Sequence, residues 1–308
     1  MDPQIPFDRA LLRQRHDRAA ANYAEHDFLV AEVTERLLDR LDDISRPFAN
    51  ILNLGCHRGL AGQIMSARPD AEFIIQCDLS ERMTTLAHKS NSLAHNIASA
   101  VVDEEALPFA EESFDLIVGA LSLHNVNDLP GALIQANRCL RPDGVFLAAM
   151  FGGRTLWELK EVIMLAESET TGGVTPRVSP FGDVKDLGNL LHRAGFALPV
   201  ADSETITVRY ENPLKLFADL RGMGESSILN ARSRKPLRRD TLMRTAHLYQ
   251  ERHGGEDGRI PVTFEIVNLT AWRPHASQPK PAKRGSATMS LAEALKTPAG
   301  HEDTAGEN

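Results

Sequence analysis

The feature that most constrains this chain is an alternation of five short apolar runs with stretches of helical spacing. The runs are NILNL (50–54), EFIIQC (72–77), ASAVV (98–102), FDLIVGAL (114–121) and GVFLAAMF (144–151), and between them lie GLAGQIMSA, SERMTTLAHKS and LPGALIQANRCL. Short apolar runs bounded by turn residues and alternating with helical segments indicate repeated βαβ units and a parallel sheet. Right-handed crossovers then place helices on both faces, which makes the fold class α/β.

The flanks follow the same logic. Residues 28–43 put Phe28, Leu29, Val33, Leu37, Leu38 and Leu41 on one helical face, and Pro47 ends that helix. Residues 1–44 therefore read as an N-terminal helical segment or lid, followed by a main domain over 45–273. Beyond residue 151, TLWELKEVIMLAE and DVKDLGNLLHRAG are helices around a Gly/Pro loop, and ALPVA and ETITVRY read as two strands. NPLKLFADLRG and DTLMRTAHLYQERHG form a small helical cap, about 211–255, inserted before the last strand, PVTFEIVNLTAW. Residues 274–308 are rich in Pro, Ala, Ser and Lys and are predicted to be disordered.

Composition removes several function classes. With 34 Lys+Arg against 42 Asp+Glu the net charge is −8, a poor footprint for phosphate, so nucleic acid is not an expected partner. Cys56, Cys77 and Cys139 are too few and too scattered for a disulfide framework or a zinc cluster, and no metal site is expected. There is no run of 18 apolar residues to span a membrane. The N-terminal stretch carries Asp2, Asp8 and Asp17 and lacks the apolar centre of a signal sequence, so the expected location is cytoplasmic.

The chemistry collects at strand ends. ILNLGCHRGLAG (51–62) stands where the first strand turns into the first helix. Glycine there lets the backbone approach a ligand, in front of the unpaired N–H groups of a helix N-terminus. Asp78 ends the second strand, 19 residues after Gly59, where a carboxylate accepts both hydroxyls of a ribose. It also reads as a helix N-cap, a role that suits Ser80 better. Asp103 and Glu104 follow the third strand, where a carboxylate meets an adenine amino group, and Phe109 and Phe114 read as core anchors. LSLHNVNDLP (121–130) follows the fourth strand and LRPDGVFL (140–147) leads into the fifth.

In order and spacing these elements, over residues 45–150, resemble the class I methyltransferases that use S-adenosylmethionine. The resemblance implies a Rossmann-like sheet that holds this cofactor through Asn53, Gly55, Cys56, His57, Gly59, Asp78, Leu79, Asp103, Glu104 and Leu121. Two positions depart from the family loop, which runs acid-x-Gly-x-Gly-x-Gly. Asn53 replaces the acid and His57 the middle glycine. Asn53 lacks the charge that pairs with an ammonium, and His57 adds bulk, so the pocket is either weakened or retuned.

Over residues 7–292 the chain resembles a narrower group, the complex I assembly-factor branch of these proteins. The matching segments include FDRALLRQRHDRAA, DEEALPFAEESFDLIVGALSLHNVNDLPGAL, MFGGRTLWELK, VSPFGDVKDLGNLLHRAGF, DLRGMGES and KRGSATMSL. The branch implies a role in assembling respiratory NADH:ubiquinone oxidoreductase, with a complex I subunit or other protein as acceptor. It also implies the arginine hydroxylation assigned to that branch, and leaves room for peripheral association with the inner membrane. Its wider relatives include the carboxyl methyltransferase of malonyl-acyl carrier protein in biotin synthesis, which makes a small acid or acyl carrier protein the alternative. A binding module that has lost catalysis is a third reading.

Methyl transfer from a sulfonium is an in-line displacement that asks a protein mainly to orient the acceptor and exclude water. Hydroxylation needs an oxidant, and the sequence shows neither a facial-triad signature nor a second dinucleotide motif. His124, after the fourth strand, is the candidate acid or base, or else a hydrogen-bonded structural histidine. Arg18 and Tyr23 are candidates for a lid, although Tyr23 serves equally as a staple, and Met150 is a candidate lining of the acceptor crevice. The basic run RSRKPLRR (232–239) reads either as a solvated helix entrance, with Asp240 as N-cap, or as a dock for an acidic carrier or partner.

Overall fold

The structure is a computed structural model that describes residues 5–279. All its regular elements belong to one unit that ends at Pro274; a second begins at His275 and is described only as far as residue 279. Most of the predicted disordered tail, including KRGSATMSL, lies outside the described residues.

Helix α1 (Arg9–Ala19) opens where the Asp8 carboxylate accepts from the Leu11 N–H at 2.9 Å. Helix α2 (Phe28–Asp39) buries Leu29, Val33, Leu37 and Leu38 as its periodicity requires. Phe28, expected on the same face, opens the helix and is 43% exposed. There follow β1 (Asn50–Leu54), α3 (Leu60–Ser66), β2 (Phe73–Asp78), α4 (Glu81–Ser90), β3 (Ile97–Val101), β4 (Phe114–Ala120), α5 (Leu129–Cys139) and β5 (Leu140–Phe151). The last third comprises α6 (Trp157–Thr171), α7 (Val184–Arg193), β6 (Ala197–Tyr210), α8 (Pro213–Gly222), α9 (Arg239–His253) and β7 (Ile260–Trp272).

The seven strands form one sheet in the order β3-β2-β1-β4-β5-β7-β6, with β7 antiparallel to both neighbours. Strand order reverses between β1 and β4, and ligands of open α/β sheets bind outside the carboxyl ends at such a point. Residues alternate between the faces. Ile51, Leu116, Val145 and Leu147 pack with Leu37 of α2 and Val162 of α6, whereas Leu52, Ile117, Phe146 and Ala148 pack with Leu133 of α5 and Leu191 of α7.

Two local expectations are corrected. ALPVA and ETITVRY are one continuous edge strand, β6, with its register shift between Ala197 and Val200. Pro199 has no N–H to donate, and an irregular stretch of an edge strand is where a sheet tolerates it. Asp240 is not the cap of α9; the helix starts at Arg239, and the Asp240 carboxylate accepts from the Thr241 N–H in the first turn at 2.8 Å.

Candidate functional site

The glycine loop after β1 is pressed against its neighbours. Gly55 has φ +65°, and a Cβ there would lie 2.1 Å from Ser122 Cβ, in the turn after β4. At Gly59, with φ +90°, a Cβ would lie 2.6 Å from Asn91 Nδ2, which donates to the Gly59 carbonyl at 2.9 Å and to Gln76 Oε1 at 3.0 Å. His57 occupies the position between them at φ +49°, a left-handed conformation that histidine adopts more readily than most residues. Its Nε2 meets the Ala120 carbonyl at 2.9 Å, so the proton sits on Nε2 and Nδ1 accepts from the Tyr23 hydroxyl at 3.0 Å. The two rings stack, with centroids 5.8 Å apart and planes 10° from parallel. Burial lowers the His57 pKa and keeps the ring neutral. Asn53 is buried beneath the loop, and Cys56, also buried, donates its N–H to the Cys77 carbonyl at 2.9 Å. The space left among Tyr23, Asn53 and His57 is about 10 Å³, room for one water.

Three carboxylates line the next two strand ends. Asp78 accepts from the backbone N–H groups of His57 at 3.2 Å and Ser80 at 2.8 Å, and His16 Nδ1 lies 3.8 Å from it. Burial pushes the Asp78 carboxyl up, and His16 and His57 outweigh that and hold it below its usual value. Burial likewise pulls His16 down, but Asp78, helped by Glu225 and Glu104, carries it above its usual value. Asp103 and Glu104 share Arg9, at 2.7 and 2.5 Å. Ser80 Oγ caps α4 by accepting from the Met83 N–H at 3.1 Å and donates to Asp17 at 2.6 Å. Leu79 packs on the patch of Phe7, Leu12, Ile228 and Leu229. Helix α1 thus lies across the carboxyl edge of the sheet, with Arg18 exposed at its far end and Tyr23 buried just beyond it.

On the other side of the crevice, Leu121 turns the chain at φ +51° and donates its N–H to the Ala149 carbonyl at 2.8 Å. His124 follows in a 3-10 turn, buried, with Nε2 3.3 Å from Glu225 Oε2 and its ring 4.6 Å from that of Phe151. Asn125 Nδ2 lies 3.4 Å from the same carboxylate oxygen. Burial raises the Glu225 pKa, but the His124 charge and hydrogen bond bring it down to about 2. Met150 is buried in the core cluster on the α5–α7 face. Beyond Glu225 a cavity of about 1190 Å³ opens between α6, α8 and the segment leading into α9.

S-adenosylmethionine was the expected ligand, and the crevice has polar groups for it. Asn53 Nδ2 and both ring nitrogens of His16 are buried without a hydrogen-bond partner, beside the three carboxylates and under a loop whose glycine leaves no space for a side chain. Buried polar atoms of this kind need a partner, which an ordered water or a polar ligand would supply. Arg9, His16, Asp17 and Glu225 did not emerge as site residues from the sequence. They lie in the segments FDRALLRQRHDRAA and DLRGMGES, which carry the narrower resemblance, but nothing in their local pattern pairs them with strand ends more than 60 residues away.

A family model described as a methyltransferase domain matches residues 52–148. The arginine-hydroxylase NDUFAF5 of Danio rerio is 42% identical over 299 residues, covering 94% of this chain and 89% of that one. It and its mouse and human counterparts are named mitochondrial, which overturns the expected cytoplasmic location. Bulk composition and reduced thiols do not distinguish one reducing compartment from another. A malonyl-[acyl-carrier protein] O-methyltransferase of Methylovorus sp. (strain MP688) is 31% identical over 276 residues, 88% of this chain and 90% of that one. In fold, the YcgJ protein of Bacillus subtilis superposes with a TM-score of 0.56 at 15% identity, over 78% of this chain and 99% of that one. The alternation of strands and helices, the reversal point beside the glycine loop and identity along almost the whole length lead to one statement: the chain belongs to the NDUFAF5 arginine-hydroxylase family of class I methyltransferase-like proteins.

Proposed function

We propose that the protein binds S-adenosylmethionine at the ends of β1 to β4 and acts on an arginine of a protein subunit during assembly of respiratory complex I. The observation that carries this reading is that identity to an arginine-hydroxylase extends over 94% of the chain, far beyond residues 52–148 that the methyltransferase domain matches. Arg9 and His16 of α1 and Glu225 after α8 lie outside that central stretch.

Asp78 would take the ribose hydroxyls and Asp103 or Glu104 the adenine amino group, with Leu79 and Leu121 beside them. The loop from Gly55 through Cys56 and His57 to Gly59 would face the methionine end, where Asn53 Nδ2 donates to its carboxylate. Bound, the group supplies an electrophilic methyl carbon. Entry requires α1 and the turn holding Tyr23 to move, because Arg9 and His16 stand at the carboxylates that the nucleotide needs. Once closed, the same helix excludes water, and Arg18 and Tyr23 belong to this lid. On the acceptor side Glu225 is the ionised carboxylate suited to a guanidinium, and His124 holds its orientation.

Mass spectrometry of complex I subunits from a deletion strain tests the reading. Loss of one oxygen mass at a specific arginine identifies hydroxylation, loss of one CH₂ identifies methylation, and an unchanged arginine with normal complex I levels refutes the proposal. A second reading, carboxyl methylation of malonyl-acyl carrier protein, draws on the 31% identity to such enzymes, and labelled methyl transfer to that acceptor would select it.

A further inference from the structure

The cavity under the cap has an apolar wall, made by Leu159 and Ile163 of α6, Phe217 of α8 and Leu237. Its charges are unbalanced. Six cations line it against two acids, Asp8 and Glu225. Asp8 is paired with Arg232, Glu225 with His124, and Arg177 with Glu167 outside the cavity. Arg15 hydrogen-bonds only to the carbonyls of Ser226 and Ser227, and Arg221, Arg234 and Lys235 have no carboxylate within ion-pair distance among the described residues. Burial, and after it the neighbouring charges of Arg232 and Arg18, hold the Arg15 pKa below its usual value.

A guanidinium that enters to reach Glu225 crosses this field unfavourably unless it brings its own negative charge. Like charges brought together in a partly desolvated site are a strong means of rejecting wrong partners. We infer that the cavity selects protein segments in which the target arginine is accompanied by acidic residues, with the guanidinium on Glu225, the acids on Arg221, Arg234 and Lys235, and an apolar side chain against Leu159 and Ile163. The inference rests on the proposed arginine acceptor and adds what must surround it. It also gives a role to the basic run at 232–239, which cofactor binding leaves unused.

The test uses the full chain and fluorescence anisotropy with labelled alanine-based peptides that carry a central arginine and a leucine. One peptide has two aspartates beside the arginine and its twin has two asparagines. The aspartate peptide is expected to bind about tenfold more tightly at low salt, with the gap shrinking as salt screens it. In the double variant Arg234→Glu/Lys235→Glu, made at two exposed positions, the preference should vanish or reverse. Equal binding of the two peptides to the unaltered protein overturns the inference. Replacing the arginine with norleucine separates it from the reading beneath: if the aspartate preference survives and affinity is unchanged, the cationic rim stands and the arginine acceptor falls. If Arg→norleucine abolishes binding while aspartate and asparagine peptides are equivalent, the acceptor stands and the rim falls.

Discussion

At the nucleotide edge, Asp78, Asp103 and Glu104 each face a cation that α1 supplies, His16 for the first and Arg9 for the other two. Across the crevice, under the cap, Arg15, Arg221, Arg234 and Lys235 face no carboxylate of their own among the described residues. One region is neutralised from within, next to a glycine loop that leaves only about 10 Å³ among Tyr23, Asn53 and His57; the other stays charged around about 1190 Å³. The difference separates two kinds of binding. Where the protein carries the counter-charge on a helix of its own, the proposed ligand would have to displace it, so helix and ligand would compete. Where no counter-charge is carried, the ligand must bring it, so the cavity discriminates by charge.

The substitution with the largest expected effect strikes both regions at once. Gly55→Val places atoms where Ser122 already is, at a φ of +65° that a β-branched residue resists, and the Ser122 turn leads on to His124. Strain and overpacking together should cost about 3 kcal/mol, seen as a lower urea midpoint, with S-adenosylmethionine binding lost in calorimetry. A folded variant that binds normally would show that the loop does not shape the crevice.

Next in size is Arg9→Ala, which leaves Glu104 buried with no cation. Breaking a buried pair costs about 3 to 5 kcal/mol. Asp103 is 38% exposed, however, and water replaces part of what is lost, so about 2 kcal/mol is expected for the ligand-free protein. The competition argued above gives the second half of the prediction: the same variant should lose less stability when the cofactor is present, because the adenine amino group meets the freed carboxylates. Equal losses with and without cofactor would break the comparison at its nucleotide end.

The pH dependence sharpens it further. His16 and His57 have ring centroids 6.3 Å apart and are shifted in opposite directions. His16 is raised, so its contribution is fully present below its unfolded value of 6.5 and is lost as pH climbs through the folded value. His57 is lowered and buried neutral, so its contribution is lost as pH falls below 6.5. His16→Gln should therefore leave a protein whose melting temperature rises up to about pH 6.5 and then levels off, whereas that of the unaltered chain falls again above 6.5 as His16 loses its proton. Parallel profiles for the two proteins would remove His16 from the ionic bridge to Asp78.

How much of this was legible in the sequence depends on the distance over which the physics acts. The sheet followed from local periodicity, and so did the positions of Gly55, Gly59, Asp78 and Asp103 at strand ends, because a strand end followed by a helix start is a short-range pattern. The single edge strand β6 was read as two because the polar pair Asp202 and Ser203 interrupts the run locally, while the ladder to β7 that carries it through pairs them with Asn268 and Val267. His57 was read as bulk in the loop; its tautomer and its stacking on Tyr23 depend on a turn 34 residues upstream. Arg9 and Glu225 were invisible for the same reason, since an arginine on a polar helix looks solvated until the tertiary fold sets it against two carboxylates.

The smallest expected effect is the most discriminating, since it concerns cations of the same chemistry as Arg9 placed on the other side of the crevice. Arg234→Ser/Lys235→Ser removes two exposed charges that hold no carboxylate among the described residues and that line the same cavity as Arg15 and Arg232. Losing like-charge repulsion while losing no ion pair should leave the unfolding free energy within about 0.5 kcal/mol of the parent, on the stabilising side if either. The same change should weaken binding of an aspartate-bearing arginine peptide and leave its asparagine twin unaffected. A destabilisation comparable to that of Arg9→Ala would mean that the rim has internal partners after all, and the cavity would then be a second neutralised region, closed to an incoming charge in the way α1 closes the first.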